Sequence, residues 1–282
     1  MEFRPFLQFA CQVGIAKWAW RYGRWQFAKR VLRRDSHLTL PTGKRIFLPR
    51  TSGSAAEVFV ADAAIDWGSE ALFTSFADPG DDFLDVGAHI GYYALYLSPL
   101  IRQVFAFEPD TRNQAALAIN AETGGNITVV RKAVAQISGV SKLDVSQNSG
   151  ISHLAAAGAV GAIDVDTVTI DEFVKTVPEA NIKFIKIDIE GHDLNAIKGG
   201  LDTIRAHQPL ILTEFAPEGL SINDPGALVR LCGELDYRIF AFARESSYAA
   251  ADLREMAAED LGRVWVKMLF LVPERLQSAF RR

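Results

Sequence analysis

The run Phe83-Leu84-Asp85-Val86-Gly87-Ala88-His89-Ile90-Gly91-Tyr92-Tyr93 joins an apolar strand pattern to a helical one through two glycines. Glycine at such a turn lets the backbone approach a ligand closely, and open α/β sheets bind ligands at the carboxyl ends of their strands. A dinucleotide is the first ligand to weigh. Its G-x-G-x-x-G fingerprint fails in both registers. Counted from Gly87, the other glycines fall on His89 and Tyr92; counted back from Gly91, they fall on Val86 and Ala88. Asp85 would also repel a pyrophosphate at the helix N-terminus, and it suits a ligand carrying an ammonium and a sulfonium. Glu108 ends a second apolar strand in Phe105-Ala106-Phe107-Glu108-Pro109. A carboxylate there can accept both hydrogen bonds of a ribose diol; its plain structural alternative is a helix cap.

The densest group of reactive side chains is Lys186-Ile187-Asp188-Ile189-Glu190-Gly191-His192-Asp193. Side chains alternate along a strand, so Lys186, Asp188 and Glu190 share one side at its end while Ile185, Ile187 and Ile189 face packing. Asp188 is the first choice of site residue. Glu190, His192 and Lys186 are the groups able to position an acceptor or take its proton. Each has a structural reading beside the chemical one: Lys186 pairs with a carboxylate, and His192 caps the next helix. Glu214, ending the strand Leu210–Thr213, is an acceptor-site carboxylate or a cap. Asp188 and Glu214 together raise the question of a divalent ion such as Mg²⁺, which takes oxygen ligands. Phe215 follows Glu214 and no third ligand is evident, so no metal is expected.

The Asp-Val-Gly-Ala-x-x-Gly loop, Glu108-Pro109 and Phe184-Ile185-Lys186-Ile187-Asp188-Ile189-Glu190-Gly191 together resemble the FkbM-type methyltransferases. The resemblance runs from about residue 57 to residue 217 and weakens toward the end. It implies a doubly wound, Rossmann-like α/β sheet of seven strands with one antiparallel strand near the C-terminus. It implies S-adenosylmethionine as cofactor and O-methylation of a hydroxyl on a sugar, a glycolipid or polysaccharide precursor, or a related secondary metabolite. The cofactor residues are then Asp85, Gly87, Ala88, His89, Gly91, Tyr92, Glu108, Pro109 and Asp188, with Lys132 and Ala133 bordering the adenine. The catalytic set is Asp188, Glu190, His192, Lys186 and Glu214. Asn148-Ser149-Gly150 resembles a loop that the family places near the site. His89 departs from the family, which often has Asn there; both residues hydrogen-bond. Two rival classes stay open: an NAD-type oxidoreductase, disfavoured by the failed glycine pattern, and a methyltransferase-like binding module without turnover.

These residues need a scaffold of parallel strands and crossover helices, and the chain from residue 83 alternates accordingly. Strands are expected at Phe83–Val86, Val104–Phe107, Ile127–Val130, Phe184–Asp188 and Leu210–Glu214. Helices are expected at Ile90–Leu100, Thr111–Thr123 and Pro225–Leu235, with helical segments from 189 to about His207. Tyr237–Phe242 and Val264–Val272 read as two more strands, and residues 135–165 as a loop-rich insertion. Ahead of this domain (79–282) lies a lead-in (35–78), with a hairpin at His37–Arg50 turning on Pro41-Thr42-Gly43 and a helical stretch at 55–77. Acceptor contacts are expected from 50–75, 135–165 and 215–262, with Trp67, Tyr92, Tyr93 and Tyr248 able to stack on a sugar.

Residues 1–34 form a helical extension with eight basic residues against one acidic one, in a chain of net charge −4. Phe6, Phe9, Val13, Ala16, Trp20, Phe27 and Val31 fall on one face, and Leu7, Trp18 and Trp25 opposite. Such a helix packs on the domain or on a second subunit of a homodimer; a basic aromatic helix also suits an anionic membrane surface. The acidic balance argues against nucleic acid. No apolar run is long enough for a membrane span, and Cys11 and Cys232 are too far apart in sequence for a metal spacing. The expected location is the cytoplasm, with peripheral membrane association through residues 1–34 left open.

Overall fold

The computed structural model describes residues 9–10, 13–145, 153–155, 162–215, 225–246, 249–261 and 263–281. Phe3, Phe6, Leu7 and Cys11 lie outside them. The first described regular helix, α1 (Ile15–Phe27), runs into a π-helical turn at Ala28–Leu32. Trp18, Arg21 and Trp25 face inward. Trp25 meets Phe59 with ring centroids 5.5 Å apart, and Arg21 Nε donates to the Phe59 carbonyl at 2.6 Å. Trp20, Phe27 and Val31 stand in solvent. Within α1, the face that packs is therefore the one opposite the apolar stripe. The reason is Arg21: hydropathy counts it as surface, but its guanidinium is buried and lies 2.9 Å from Asp62.

The lead-in forms the expected hairpin, with β1 (Ser36–Thr39) antiparallel to β2 (Arg45–Leu48). The helical stretch at 55–77 is corrected to two short helices, α2 (Gly53–Val60) and α3 (Ser69–Thr74). Asp62, Ala63 and Trp67 between them adopt positive φ, which ends α2 and leaves Asp66 and Trp67 on a turn.

Then follow β3 (Asp82–Val86), α4 (Tyr92–Leu97), β4 (Gln103–Phe107), α5 (Thr111–Gly124) and β5 (Ile127–Val130). The three strands are parallel and step outward in order. The chain next builds a small sheet from β6 (Ala133–Val134), β7 (Gly139–Asp144), β8 (His153–Ala155) and β9 (Ile163–Val168), ordered β6-β9-β7-β8. This corrects the loop-rich reading of 135–165. Leu143 is the one buried residue of β7, so the alternation that marks a half-buried strand is missing from the sequence.

After α6 (Ile170–Lys175), β10 (Ile182–Ile187) returns to the other side of β3 and pairs with it in parallel. Then come α7 (Asp193–Lys198), α8 (Leu201–His207), β11 (Leu210–Glu214) and α9 (Pro225–Glu234). The chain ends with β12 (Tyr237–Arg244), β13 (Asp252–Glu255), β14 (Trp265–Pro273) and α10 (Glu274–Phe280). The main sheet is ordered β13-β12-β14-β11-β10-β3-β4-β5. β14 is the expected antiparallel strand, set between β11 and β12. The expected seven strands become eight, because β13 adds an edge antiparallel to β12. Its sequence, Asp-Leu-Arg-Glu, carries the charges that protect edge strands and hides it from an apolar search.

Apolar residues cover both faces. Phe83 and Phe184 enter one core, while Leu84, Val86, Ile185 and Ile187 enter the other. The winding reverses between β3 and β10, and a crevice at the carboxyl ends of those two strands is where such sheets place their ligands. Among the described residues, no helix is long and apolar enough to cross a membrane.

Candidate active site

The crevice is a cavity of about 700 Å³ at the ends of β3, β10 and β11. Asp85, Gly87, Ala88, His89, Tyr92, Lys186, Asp188, Glu190 and Glu214, all singled out in the sequence, line it. Gly91, Glu108, Pro109, Lys132, Ala133 and His192 do not. His192 occupies the N-cap position of α7 without a side-chain capping bond. Asn148, Ser149, Gly150 and Tyr248 lie outside the described residues.

The glycine turn is built by close contact. Gly87 has φ 79°, and a Cβ placed there would lie 2.0 Å from the Asp188 carbonyl oxygen. The turn is held from both sides. Asp85 Oδ2 accepts from the Ala94 amide at 2.9 Å, which puts a carboxylate on the free N–H groups of α4. Glu108 Oε2 accepts from the His89 amide and its Oε1 from the Asp110 amide, each at 2.8 Å. Burial pushes Asp85 up to about 6 and Glu108 up to about 7. His89 sits at φ 52°, and neither ring nitrogen has a hydrogen-bond partner among the described residues. Burial, helped by the nearby Lys186 charge, lowers its pKa to about 4, so the imidazole is neutral at pH 7.

Lys186 stands in register with Asp85 across the β3–β10 pair. Its ammonium lies 3.0 Å from Asp188 Oδ2 and 4.0 Å from Asp85 Oδ1, and it donates to the Gly87 carbonyl at 3.2 Å. Burial works against its charge, but Asp188 and Asp85 outweigh it and hold the pKa above its ordinary value. Lys186 is therefore a fixed cation. The ion pair of the sequence reading is present, and Lys186 also lines the cavity.

The strand β10 is followed by a left-handed residue, Glu190 at φ 51°, and this bend brings its side chain back. Asp188, Glu190 and Glu214 each offer a carboxylate oxygen within 4.8 Å of the others. Strand alternation already put Glu190 on the side of Asp188; what the sequence did not show is that it meets Glu214 as a third carboxylate, after a left-handed bend. Crowding has a cost: burial and the Asp188 charge raise Glu190 to about 7, and burial, Asp188 and Glu190 raise Glu214 to about 10. A site that forces carboxylates to share protons favours a cation.

The far wall of the cavity includes Glu57 and Asp66, which fall in the expected 50–75 stretch but were not singled out, and Trp265 and Lys267, which lie beyond the expected stretches. A lone acid on the apolar helix Gly-Ser-Ala-Ala-Glu-Val-Phe-Val was the available signal for Glu57. Tyr92 and Tyr93 reach toward this wall. The Tyr92 hydroxyl donates to the Ala63 carbonyl at 2.8 Å and the Tyr93 hydroxyl to Asp66 at 2.7 Å.

Similar proteins are known. The hexuronic acid methyltransferase AglP of Haloferax volcanii is 29% identical over 197 residues, covering 63% of this chain and 79% of that protein. The crystal structure of methyltransferase FkbM from Methylobacillus flagellatus KT superposes over 91% of this chain at 15% identity and a TM-score of 0.43. This chain spans 58% of that one. The pattern of the methyltransferase FkbM domain matches residues 85–239, which carry the glycine turn, Glu108, Asp188, Glu190 and Glu214, and the chain belongs to that family of methyltransferases.

Proposed function

We propose that this methyltransferase uses S-adenosylmethionine to methylate a hydroxyl oxygen of a sugar. The observation that carries the reading is one cavity with the glycine turn on one side and three crowded carboxylates on the other. The residues fit the cofactor: the buried, unpartnered His89 nitrogens offer both a donor and an acceptor, and the carboxylates match an ammonium and a sulfonium. Glu108 accepts from the His89 and Asp110 amides and from the Asn113 side chain, which leaves it one lone pair for a ribose hydroxyl. When bound, the sulfonium supplies a methyl group that passes to the acceptor oxygen and leaves a neutral thioether. Glu190 takes the hydroxyl proton, since a base with a pKa near 7 suits neutral conditions. Asp188, held by Lys186 at 3.0 Å, fixes the direction of approach, and protonated Glu214 donates to the acceptor. Lys186 supplies the permanent positive charge among these acids, so no metal is required.

Calorimetric titration with S-adenosylmethionine tests this. A bound cation lowers the raised pKa of Glu190, so binding releases a proton. The affinity therefore rises with pH, by up to about tenfold per unit below pH 7, and levels off above it. EDTA leaves it unchanged. NAD binding in its place, or affinity falling as pH rises, would sink the reading; loss with EDTA and recovery with Mg²⁺ would assign the carboxylates to a metal.

The sugar is carried at a membrane surface. Trp20, Phe27, Val31 and Leu32 are exposed on the N-terminal helix, and Lys29, Arg30, Arg33 and Arg34 flank them, all exposed. Apolar side chains ringed by cations suit anionic lipid. The full chain should pellet with phosphatidylserine vesicles at low salt, and Trp20→Ser/Phe27→Ser should weaken this at least about thirtyfold, each apolar anchor contributing of order 1 kcal/mol or more. Equal pelleting removes the idea.

A further inference from the structure

We infer that Glu70 is a positioning residue of the cavity wall that works only while it carries its proton: neutral Glu70 pins the turn 62–68, and its ionisation releases that turn. The inference stands whichever ligand the cavity takes, because Glu70 itself does not line it.

The turn needs holding. Asp62, Ala63 and Trp67 adopt positive φ without being glycine, a conformation that persists only where the surroundings impose it. The same turn carries Ile65, Asp66 and Trp67 into the cavity wall. Several of its ties converge on Tyr92 and Tyr93, the two residues that open α4 directly after Gly91. The Tyr92 hydroxyl donates to the Ala63 carbonyl at 2.8 Å, and the Tyr93 hydroxyl to Asp66 at 2.7 Å. Glu70 is buried behind them. Its Oε1 accepts from the Asp66 amide at 2.9 Å and lies 3.2 Å from the Tyr92 hydroxyl oxygen. One acid thus touches both the turn and the helix that holds it.

Proton placement decides the state of Glu70. Tyr92 has a single hydroxyl proton, and the Ala63 carbonyl is the nearer of its two acceptors. The contact between the Tyr92 and Glu70 oxygens is then filled only if Glu70 brings a proton of its own. An ionised Glu70 would also leave Oε2 buried without a partner among the described residues, which is costly for a charge. The groups that face it are Asp66 from the turn and Tyr92, Tyr93 and Tyr96 from α4, none of them a cation. The cations that reach the turn serve other acids: Lys17 and Arg21 pair with Asp62, and Lys267 lies 3.9 Å from Asp66. Burial first, and then the Asp66 charge, push Glu70 up to about 7, against the amides of Asp66 and Glu70 and the Tyr92 hydroxyl. Once the turn opens, water solvates the carboxyl and returns it to the ordinary carboxylate range. Because its pKa is raised in the closed form, Glu70 supports the closed turn fully at low pH, and that support is lost as pH rises through about 7.

The test is amide hydrogen exchange on the full chain, wild type against Glu70→Gln, read as protection factors so that the intrinsic pH dependence of exchange drops out. The glutamine keeps an oxygen for the Asp66 amide and cannot ionise. Between about pH 5 and about pH 8, the wild-type amides of 62–68 should lose at least about tenfold in protection relative to those of the variant, because opening gains with the ionised fraction of Glu70. At the acid end the two proteins should agree. Tyr92→Phe removes the tie to Ala63 but leaves Glu70 able to ionise, so it should lower protection at both ends of the range and keep the alkaline loss. The same pH course in wild type and Glu70→Gln would mean that the proton has no part in holding the turn, and overturns the inference. So does a variant less protected than the wild type at about pH 8. If Glu70→Gln does not fold, the wild type alone decides: protection of 62–68 that falls with a midpoint near 7 is the expected result, and protection that stays level across the range overturns it.

Discussion

Glu190→Gln is expected to lower turnover by about 10²–10⁴-fold, the usual contribution of a positioned base, while S-adenosylhomocysteine still binds. The amide keeps the size and backbone preference of the carboxylate at φ 51° and cannot accept the proton. The pH profile carries the sharper readout. With Glu190 raised to about 7 in the free enzyme by burial and by Asp188, the wild-type kcat/KM for S-adenosylmethionine climbs with pH up to that value and then levels off, because only the deprotonated form works. In the variant that rise disappears. Asp188→Asn behaves differently. Its carboxylate is 35% exposed but pairs with an almost fully buried Lys186, so the variant leaves a cation with Asp85, at 4.0 Å, as its nearest remaining acid. Removing one partner of a buried pair is destabilising, so this variant loses stability as well as rate, and its residual rate keeps a pH-dependent rise that moves to lower pH, because the Asp188 charge no longer raises Glu190. A Glu190→Gln enzyme with normal turnover and an intact pH profile would move the base elsewhere.

What could be read from the chain follows from how local each feature is. The glycine turn and the acids at 85, 188 and 214 were legible because strand ends are marked by apolar runs that stop at a charge. The α/β alternation was legible for the same reason: β3, β4, β10 and β11 are buried on both faces and read as continuous apolar segments. The helix face of residues 15–27 was not, since its choice depended on Asp62, far along the chain, receiving Arg21. Glu190 was legible as a site residue on the side of Asp188, but its meeting with Glu214 follows a left-handed bend at a non-glycine residue, which no periodicity encodes. Part of the 50–75 stretch lines the cavity, but the joining of that stretch to Lys267 is a tertiary fact spanning some two hundred residues. Local pattern finds strand ends; it does not find which distant segment closes over them.

Gly87→Ala should be the most damaging single methyl group that can be added to the site. Two costs combine. An alanine at φ 79° is strained, by about 1–3 kcal/mol. The new Cβ would also lie 2.0 Å from the Asp188 carbonyl oxygen and 3.0 Å from both its carbon and Ile189 Cγ2. The obstacle is main chain, and it is anchored: the Asp188 amide donates to the Val86 carbonyl at 3.1 Å, continuing the β3–β10 ladder. Overpacking against such a neighbour costs a further 1–3 kcal/mol or so. The expected loss is about 2–6 kcal/mol, a large share of the 5–15 kcal/mol or so that holds a domain folded, and any folded remainder should no longer bind S-adenosylhomocysteine. Gly125→Ala separates the two costs, because Gly125 has φ 86° and nothing within 4 Å of its Cβ position. Gly91→Ala falls between, since its Cβ would meet the Leu117 Cδ1 end at 2.7 Å, an atom that can swing aside. Urea denaturation of the three variants should therefore rank Gly87 worst, Gly91 next and Gly125 mildest. If Gly87→Ala were no worse than Gly125→Ala, the close approach of the turn to the end of β10 would be wrong, and with it the placement of Asp188 beside the cofactor.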